Sequence, residues 1–93
     1  MTTLDITHDP QARRFTAAVA GGDAECVYRL DGMRMDIVHT EVPWRSEGRG
    51  IAGALVQAAL DHARAQGWRV RPLCSYVAAY MRRHPHTRDL LAP

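Results

Sequence analysis

The sequence predicts a mixed α/β (α+β) fold in which antiparallel strands come first and a helix, a strand and a second helix follow. Residues 4–42 alternate apolar and polar side chains with a period of two, which is typical of half-buried strands. Residues 50–66 instead repeat apolar side chains at i, i+3, i+4 and i+7, which is typical of an amphipathic helix. Because 93 residues suffice for only one small domain, we expect residues 1–93 to share a single core.

The N-terminal half divides into four predicted strands that form an antiparallel meander. Turn residues separate them at Asp9-Pro10, Gly21-Gly22-Asp23 and Asp31-Gly32. The first strand is expected over residues 4–8. In each of the other three, alternate side chains should share one face of the sheet: Phe15, Ala17 and Val19; Cys26, Tyr28 and Leu30; and Met35, Ile37 and His39.

The C-terminal half contains two predicted helices separated by a short strand. The first helix covers residues 50–66, and Gly67 ends it as a C-cap. A strand over residues 68–73 follows. Residues 75–84 form the second helix, with Ser75 as its N-cap and Pro85 as its stop, and residues 86–93 show no clear pattern. A helix that crosses between two strands indicates that those strands are parallel neighbours.

Composition and charge exclude several classes of protein. Hydrophobic residues at 46% and charged residues at 24% are average for a globular chain, which excludes disordered and low-complexity proteins. The two cysteines, Cys26 and Cys74, form neither a CxxC zinc motif nor a disulfide scaffold. Every basic residue is an arginine, and the net charge of +2 is too small to indicate a nucleic-acid-binding protein.

Neither a membrane segment nor a metal site is expected. No apolar run approaches the ~18 residues of a membrane span, and the N-terminal MTTLDITHDP lacks the basic start and apolar core of a signal peptide. His62, His84 and His86 share no ligand spacing with a carboxylate or a cysteine. We therefore expect a soluble, cytoplasmic monomer that binds neither a metal nor a membrane.

Residues 44–55 follow a strand and open a helix. Unpaired backbone N–H groups and the positive end of the helix dipole converge there, which suits a phosphate or pyrophosphate group. Gly48 and Gly50 let the backbone approach an anion closely, and Arg45 and Arg49 can add charged contacts. The alternative is that the glycines serve only a tight turn at the start of the helix.

Two other phosphate-binding loops do not fit. The nucleotide-hydrolase loop requires the lysine of GxxxxGK[ST], and the chain contains no lysine. Gly48, Gly50 and Gly53 do spell the GxGxxG of a dinucleotide-binding fold. That motif should follow a first strand and precede an acidic residue by about 20 positions, whereas the corresponding region here, Arg69 to Arg71, is basic.

Four motifs, in this order and spacing, resemble the minimal single-domain branch of the GNAT superfamily of acetyl-CoA-dependent N-acetyltransferases. They are residues 39–43 (HTEVP), 48–52 (GRGIA), 72–77 (PLCSYV) and 80–85 (YMRRHP). The resemblance implies a twisted sheet in which acetyl-CoA lies where two parallel strands splay, with its pyrophosphate on the loop before the long helix. It also implies cofactor contacts from Val42, Arg45, Gly48, Arg49, Gly50, Ile51, Ala52, Gly53 and Tyr80.

The chain departs from the superfamily at two points. The usual loop pattern [RQ]xxGx[GA], placed on Gly50 and Ala52, has Glu47 where arginine or glutamine is usual. Backbone amides make most of the pyrophosphate contacts, so we expect this acid to be tolerated. The chain also lacks the helices that usually wall the acceptor site, so the acceptor cleft should be open.

Cys74 and His39 are the candidate catalytic residues. Cys74 lies between a strand end and a helix start, where the helix dipole lowers the pKa of a thiol. His39 ends the earlier strand, and if the two strands are parallel neighbours both side chains can reach one cleft. The resemblance implies the same pair, since a histidine and a cysteine at the matching positions are the proposed catalytic residues of the minimal branch. Two routes stay open: direct transfer with His39 as base and Cys74 or a tyrosine assisting the CoA sulfur, or transfer through an acetylated Cys74.

Tyr76 and Tyr80 share one face of the second predicted helix, and many superfamily members place a tyrosine acid there. The matching acid position falls on Met81, so an aromatic pair that packs the core is the alternative. The leading hypothesis for function is the transfer of an acetyl group from acetyl-CoA to an amine. The alternative hypothesis is a module that binds CoA or acetyl-CoA with little or no transfer.

Overall fold

The computed structural model describes residues 4–93. Residues 1–3 begin the segment predicted not to be a signal peptide, and they lie outside the described residues. The strands are β1 (Thr7–Asp9), β2 (Arg14–Val19), β3 (Gly22–Asp31), β4 (Arg34–Glu41) and β5 (Arg69–Pro72), and the α-helices are α1 (Ile51–Gln66) and α2 (Ser75–Arg83). Short 3-10 helices cover Trp44–Ser46 and Pro85–Leu90. Within residues 4–93, neither α-helix is long and apolar enough to cross a membrane.

The strands lie side by side in sequence order in one sheet. Strands β1 to β4 pair antiparallel, as a meander, and β5 pairs parallel to β4 after the crossover through α1. This confirms both the mixed α/β fold and the parallel neighbours that the helix crossover predicts. It also places the loop before α1 and the start of α2 at the same end of the β4–β5 pair.

The helices cover one face of the sheet and bury it. The inward side of α1 contributes five fully buried residues: Leu55, Val56, Ala59, Leu60 and Ala63. From α2, Val77 and Met81 reach the same core. Gly67 adopts a left-handed conformation and donates its N–H to the carbonyls of Ala63 and Arg64, so the predicted C-cap is confirmed.

Apart from one-residue shifts at the ends of α1, β5 and α2, three features differ from those predicted. β1 begins at Thr7 rather than at residue 4, because its pairing begins with Thr7 opposite Thr16. Cys74, not Ser75, is the N-cap of α2, so the prediction for Ser75 is wrong. A 3-10 helix covers Pro85–Leu90, where the sequence shows no clear pattern after residue 85, and Leu91 then forms a bridge with Val70 beside the sheet. These features depend on partners distant in sequence, which local patterns do not reveal.

A β-bulge interrupts β4. Tyr28 of β3 pairs with Ile37, but Val27, the residue before Tyr28, pairs with His39. β4 therefore contains one extra residue, Val38, at this point. An extra residue reverses the alternation of side chains in the rest of the strand.

The bulge moves His39 to the outer face of the sheet, away from the helices. Beyond the bulge, Thr40 pairs with fully buried Cys26 and so takes the helix-facing side, which Met35 and Ile37 occupy before it. The prediction that His39 shares a face with Met35 and Ile37 is therefore wrong. Regular alternation along β4 would have placed His39 on the helix-facing side, but the extra residue reverses the alternation beyond Ile37.

His8 ties β1 to the rest of the protein through an aromatic cluster. Its ring stacks on Phe15 with centroids 4.1 Å apart and meets the edge of His62, on α1, at 4.4 Å. Its Nε2 lies 2.6 Å from the hydroxyl of Tyr28. Burial lowers the pKa of His8, His62 lowers it further, and Asp9 acts in the opposite direction. The folded protein thus favours the neutral ring.

We expect the free energy of unfolding to decrease as the pH falls below about 6.5, the ordinary pKa of histidine. Below this pH the unfolded chain binds a proton at His8 more readily than the folded protein does, so acid favours unfolding. Above this pH His8 is neutral in both states, and its contribution to the free energy of unfolding is fully present. Urea denaturation at pH 7.5, 6.5 and 5.5 measures the effect. His8→Gln should remove this part of the pH dependence, and His86→Gln, at an exposed position, should retain it. An equal decrease in the protein and in His8→Gln would contradict the prediction.

Candidate functional site

Strands β4 and β5 separate where their parallel pairing ends, at Ile37 opposite Pro72. The N–H groups of Leu73 and Cys74 both donate to the carbonyl of Ile37 at 3.0 Å, and the chain then turns into α2. Residues 38–41 of β4 continue beside β3 beyond this point. They therefore border a gap on the side where β5 has ended.

Cys74 lies at the inner end of this gap, as the N-cap residue of α2. Its Sγ is 3.5 Å from Oγ1 of Thr40. Burial acts to raise the pKa of the thiol, but the Thr40 hydroxyl and the backbone N–H groups of Val77, Tyr76 and Thr40 favour the thiolate, and the pKa of Cys74 lies below its ordinary value. The helix amides form no cap hydrogen bond to the sulfur, so we attribute their effect to electrostatic attraction.

The second cysteine has the opposite character. Cys26 is fully buried, and burial, with smaller contributions from Cys74 and Glu25, raises its pKa to about 12. At neutral pH it is a small buried apolar side chain. Thiolate chemistry in this protein therefore belongs to Cys74.

His39 contacts two carboxylates rather than Cys74. Its Nε2 lies 3.6 Å from Oε2 of Glu41 and 3.9 Å from Oε2 of Glu25, all on the outer face of the sheet. Thr40, its neighbour, is the residue of this strand that reaches Cys74. The structure thus places the two candidate catalytic residues on different sides of the sheet, near the end of β4. Sequence reasoning missed Thr40, because only the bulge directs it to this side.

A cleft of about 280 Å³ lies between the end of β4, the start of α1 and the first turn of α2. Five of the predicted cofactor residues line it: Val42, Gly48, Gly50, Ile51 and Ala52. The remaining lining residues are Ser46, Glu47 and Tyr76. Most of the predicted cofactor loop therefore faces a single cleft.

The loop adopts its shape because of two glycines and one buried serine. Gly48 and Gly50 have φ angles of 79° and 75°, in the left-handed region that favours glycine, and Gly50 is the N-cap of α1. The space where their side chains would project is open. Ser46 is buried, and its hydroxyl donates to the carbonyl of Ala20 at 2.8 Å, which fastens the loop to the turn between β2 and β3.

The two loop arginines do not line this cleft. The guanidinium of Arg45 lies 5.4 Å from the centre of the Trp44 ring, and its side chain passes close to Gly21. Arg49 lines a larger, open cleft of about 830 Å³ on the opposite side of the start of α1, against β1 and β2. Neither arginine is therefore among the residues that surround Gly48 and Ala52 in the smaller cleft.

Gly53 and Tyr80 serve the packing between the two helices. A Cβ at Gly53 would lie 3.4 Å from the hydroxyl of Tyr76 and 3.5 Å from the ring of Tyr80. The hydroxyl of Tyr80 donates to Gln57 Oε1 at 2.6 Å, and its ring stacks on His84 at 3.9 Å. Tyr76, by contrast, lines the cleft. Tyr76 is therefore the better-placed candidate acid of the two.

The chemistry of the small cleft fits coenzyme A. The N-terminus of the 16-residue helix α1, preceded by Gly48 and Gly50, offers backbone N–H groups and a positive dipole to a pyrophosphate. Val42, Ile51 and Ala52 offer apolar surface to a pantetheine arm. Splayed parallel strands with a glycine loop at the start of the connecting helix define the architecture of GNAT-type acyltransferases.

Comparisons with known proteins identify the family. The sequence profile described as GCN5-related N-acetyltransferase matches residues 14–90, and the chain belongs to this family. Protein NATD1 from Gallus gallus is 35% identical over 85 residues, which cover 88% of this chain and 77% of that relative. Protein NATD1 from Homo sapiens is 36% identical over 85 residues, with coverage of 88% and 75%.

A solved structure has the same fold. The NMR solution structure of a GCN5-like protein from Staphylococcus aureus superimposes with a TM-score of 0.72 at 23% identity, and the match covers 99% of this chain and 91% of that one. The GNAT-like sheet and helix order that the four sequence motifs imply is thereby confirmed.

Proposed function

We propose that the protein is an acetyl-CoA-dependent N-acetyltransferase whose acceptor is an amine. The observations that support this most directly are the small cleft at the β4–β5 gap and the lowered pKa of the Cys74 thiol, two residues before Tyr76 in the cleft lining. In this proposal the backbone at Gly48, Gly50 and Ala52 holds the pyrophosphate. Val42 and Ile51 contact the pantetheine arm.

Bound acetyl-CoA supplies the acetyl group as a thioester. The Cys74 thiolate attacks the acetyl carbon, a new C–S bond forms, and the bond to the CoA sulfur breaks with the electron pair leaving on that sulfur. A neutral amine then attacks the acetyl carbon on Cys74, the amide bond forms and the Cys74 thiolate leaves. His39 accepts the amine proton through solvent, because its ring lies on the other face of the sheet. Direct transfer would instead need a proton donor at the CoA sulfur, either Cys74 or Tyr76. We favour the covalent route because Thr40 and α2 lower the pKa of the Cys74 thiol and so increase its thiolate fraction.

Binding and turnover test the proposal separately. Thermal denaturation with acetyl-CoA at 100 times its dissociation constant should show about 2.7 kcal/mol of added stability. Release of free CoA should then appear with at least one member of a panel of small amines, polyamines and lysine peptides. Absence of a thermal shift would overturn the cofactor site. A thermal shift without CoA release from any amine would overturn the proposed transferase activity. It would support the alternative hypothesis, a module that binds CoA without transfer.

Glu47→Gln should tighten the binding of CoA by about 2- to 5-fold. Glu47 lines the cleft near the start of α1, where its negative charge repels the pyrophosphate. The repulsion should weaken the free energy of CoA binding by roughly 0.3–1 kcal/mol, the contribution of an exposed charge at a helix end. Isothermal titration at low salt measures the change, and high salt should reduce it by screening. Asp61→Asn removes an exposed acid farther along α1 and should leave the affinity unchanged. Weaker binding in Glu47→Gln would contradict this placement of the pyrophosphate.

A further inference from the structure

We propose that Glu25, His39 and Glu41 form a binding site for a divalent metal ion of the zinc class. Each residue offers one ligand atom, and these three atoms all lie within 4.8 Å of one another. The Nε2 of His39 is 3.6 Å from Glu41 Oε2 and 3.9 Å from Glu25 Oε2. One imidazole and two carboxylates are ligands that zinc accepts, and three protein ligands leave a fourth position for water.

The backbone places these ligands, since all three lie on paired strands. Glu25 is directly opposite Glu41 in the β3–β4 ladder, and His39 is two residues before Glu41 on the same face. The bulge at Val38 creates this arrangement, because without the extra residue His39 would face the helices. Bulges often re-aim a side chain at a functional site. The ligands stand on a sheet, which holds a site more precisely than a loop does.

The charges of the cluster favour a cation. Carboxylates directly opposite each other on neighbouring strands repel. Arg14 reaches Glu25 only at 3.8 Å, and among residues 4–93 the ion-pair partner of Glu41 is His39. A dication between the three side chains would neutralise both acids.

Modest side-chain rotation completes the geometry. Tetrahedral ligands at about 2.0–2.1 Å from zinc lie roughly 3.3 Å apart, somewhat closer than the separations in the cluster. His39 and Glu41 have side chains that are 54% and 66% exposed, so neither must displace packed atoms to close on an ion. The site is also open to solvent, which allows the metal to enter and leaves room for the coordinated water.

The metal site does not depend on the proposed transferase activity. A metal at His39 Nε2 would, however, occupy the lone pair that a base uses. If both proposals hold, zinc should slow amine acetylation without weakening the binding of CoA.

Isothermal titration of the metal-free full chain with zinc chloride tests the site. We expect saturable binding of about one zinc ion per chain, with the NMR signals of residues 25, 39 and 41 perturbed. Glu41→Gln should weaken zinc binding by more than about 100-fold, because it removes a direct ligand. Even residues that only hydrogen-bond to a ligand change metal affinity by about 10- to 100-fold. Asp61→Asn should bind as the unaltered protein does. Cys74→Ser should also retain the site, which separates it from thiolate ligation.

Three results would overturn the proposal. They are the absence of saturable binding, equal affinity in Glu41→Gln, and loss of binding in Cys74→Ser. The circular dichroism spectrum of Glu41→Gln should match that of the unaltered protein, because the substituted side chain is exposed. His39→Gln provides a second ligand variant and should show the same loss.

Discussion

Cys74→Ser is expected to lower the rate of acetyl transfer by about 100-fold or more, the lower end of what a positioned catalytic group contributes. A serine hydroxyl in the same place stays protonated near neutral pH, whereas Thr40 and the start of α2 favour the thiolate of Cys74. Steady-state release of CoA measures the rate. Intact-mass spectrometry after incubation with acetyl-CoA, without acceptor, should show one acetyl group on the protein and none on Cys74→Ser.

The affinity for CoA provides the control, because Cys74 is not among the residues that line the cleft. We expect that affinity to change less than about twofold. Thr40→Val is the matched variant for the activation of the thiol. It removes the hydroxyl 3.5 Å from the sulfur and should move the thiol titration to higher pH. Full turnover in Cys74→Ser would exclude the covalent route and favour direct transfer.

Leu55→Ala is expected to destabilise the protein by about 2–5 kcal/mol. Leu55 is fully buried on the inward side of α1, where a truncated side chain leaves a cavity against the sheet. A chain of this size has roughly 5–15 kcal/mol of stability in total, so the loss is a large fraction of it. Urea denaturation measures the change, and the melting temperature should fall by more than about 8 °C.

Leu73→Ala is the matched control for the core substitution. Leu73 is 55% exposed, and its role in the fold is the backbone N–H that it donates to Ile37, which alanine keeps. We expect a change within about 0.5 kcal/mol, as for most surface substitutions. Equal losses in the two variants would contradict the packing of α1 against the sheet.

The order and type of the main elements could be predicted because each has a strong local cause. The apolar period of residues 50–66 defines α1, and Gly67 ends it where predicted. The turn at Asp9 forms as expected, with its carboxylate accepting the N–H groups of Gln11 and Ala12. The glycine loop also lies where its motif indicates, because Gly48 and Gly50 adopt angles that other residues rarely tolerate.

The candidate site was less predictable because it depends on pairing between strands. One extra residue at Val38 leaves no mark in a pattern of apolar residues, yet it decides that Thr40 rather than His39 meets Cys74. The cluster around His39 combines β3 and β4, so ligand spacing along the chain does not reveal it. The role of Tyr80 was not predictable for the same reason, since its hydroxyl donates a hydrogen bond to Gln57 on another helix.

Residues 39–41 of β4 pair with β3 on one side and, among residues 4–93, have no strand on the other side, which affects how a ligand can bind there. An unpaired strand at the border of a sheet invites a second chain to add to it. On the side away from β3, the contact of this stretch with α2 includes Thr40 Oγ1, 3.5 Å from the sulfur of Cys74 at the start of the helix. An extended chain that paired with this stretch would lie about 4.8 Å from β4, the usual spacing of neighbouring strands in a sheet. The backbone on this side of β4 is thus available to hydrogen-bond an extended ligand, whichever side chains surround it.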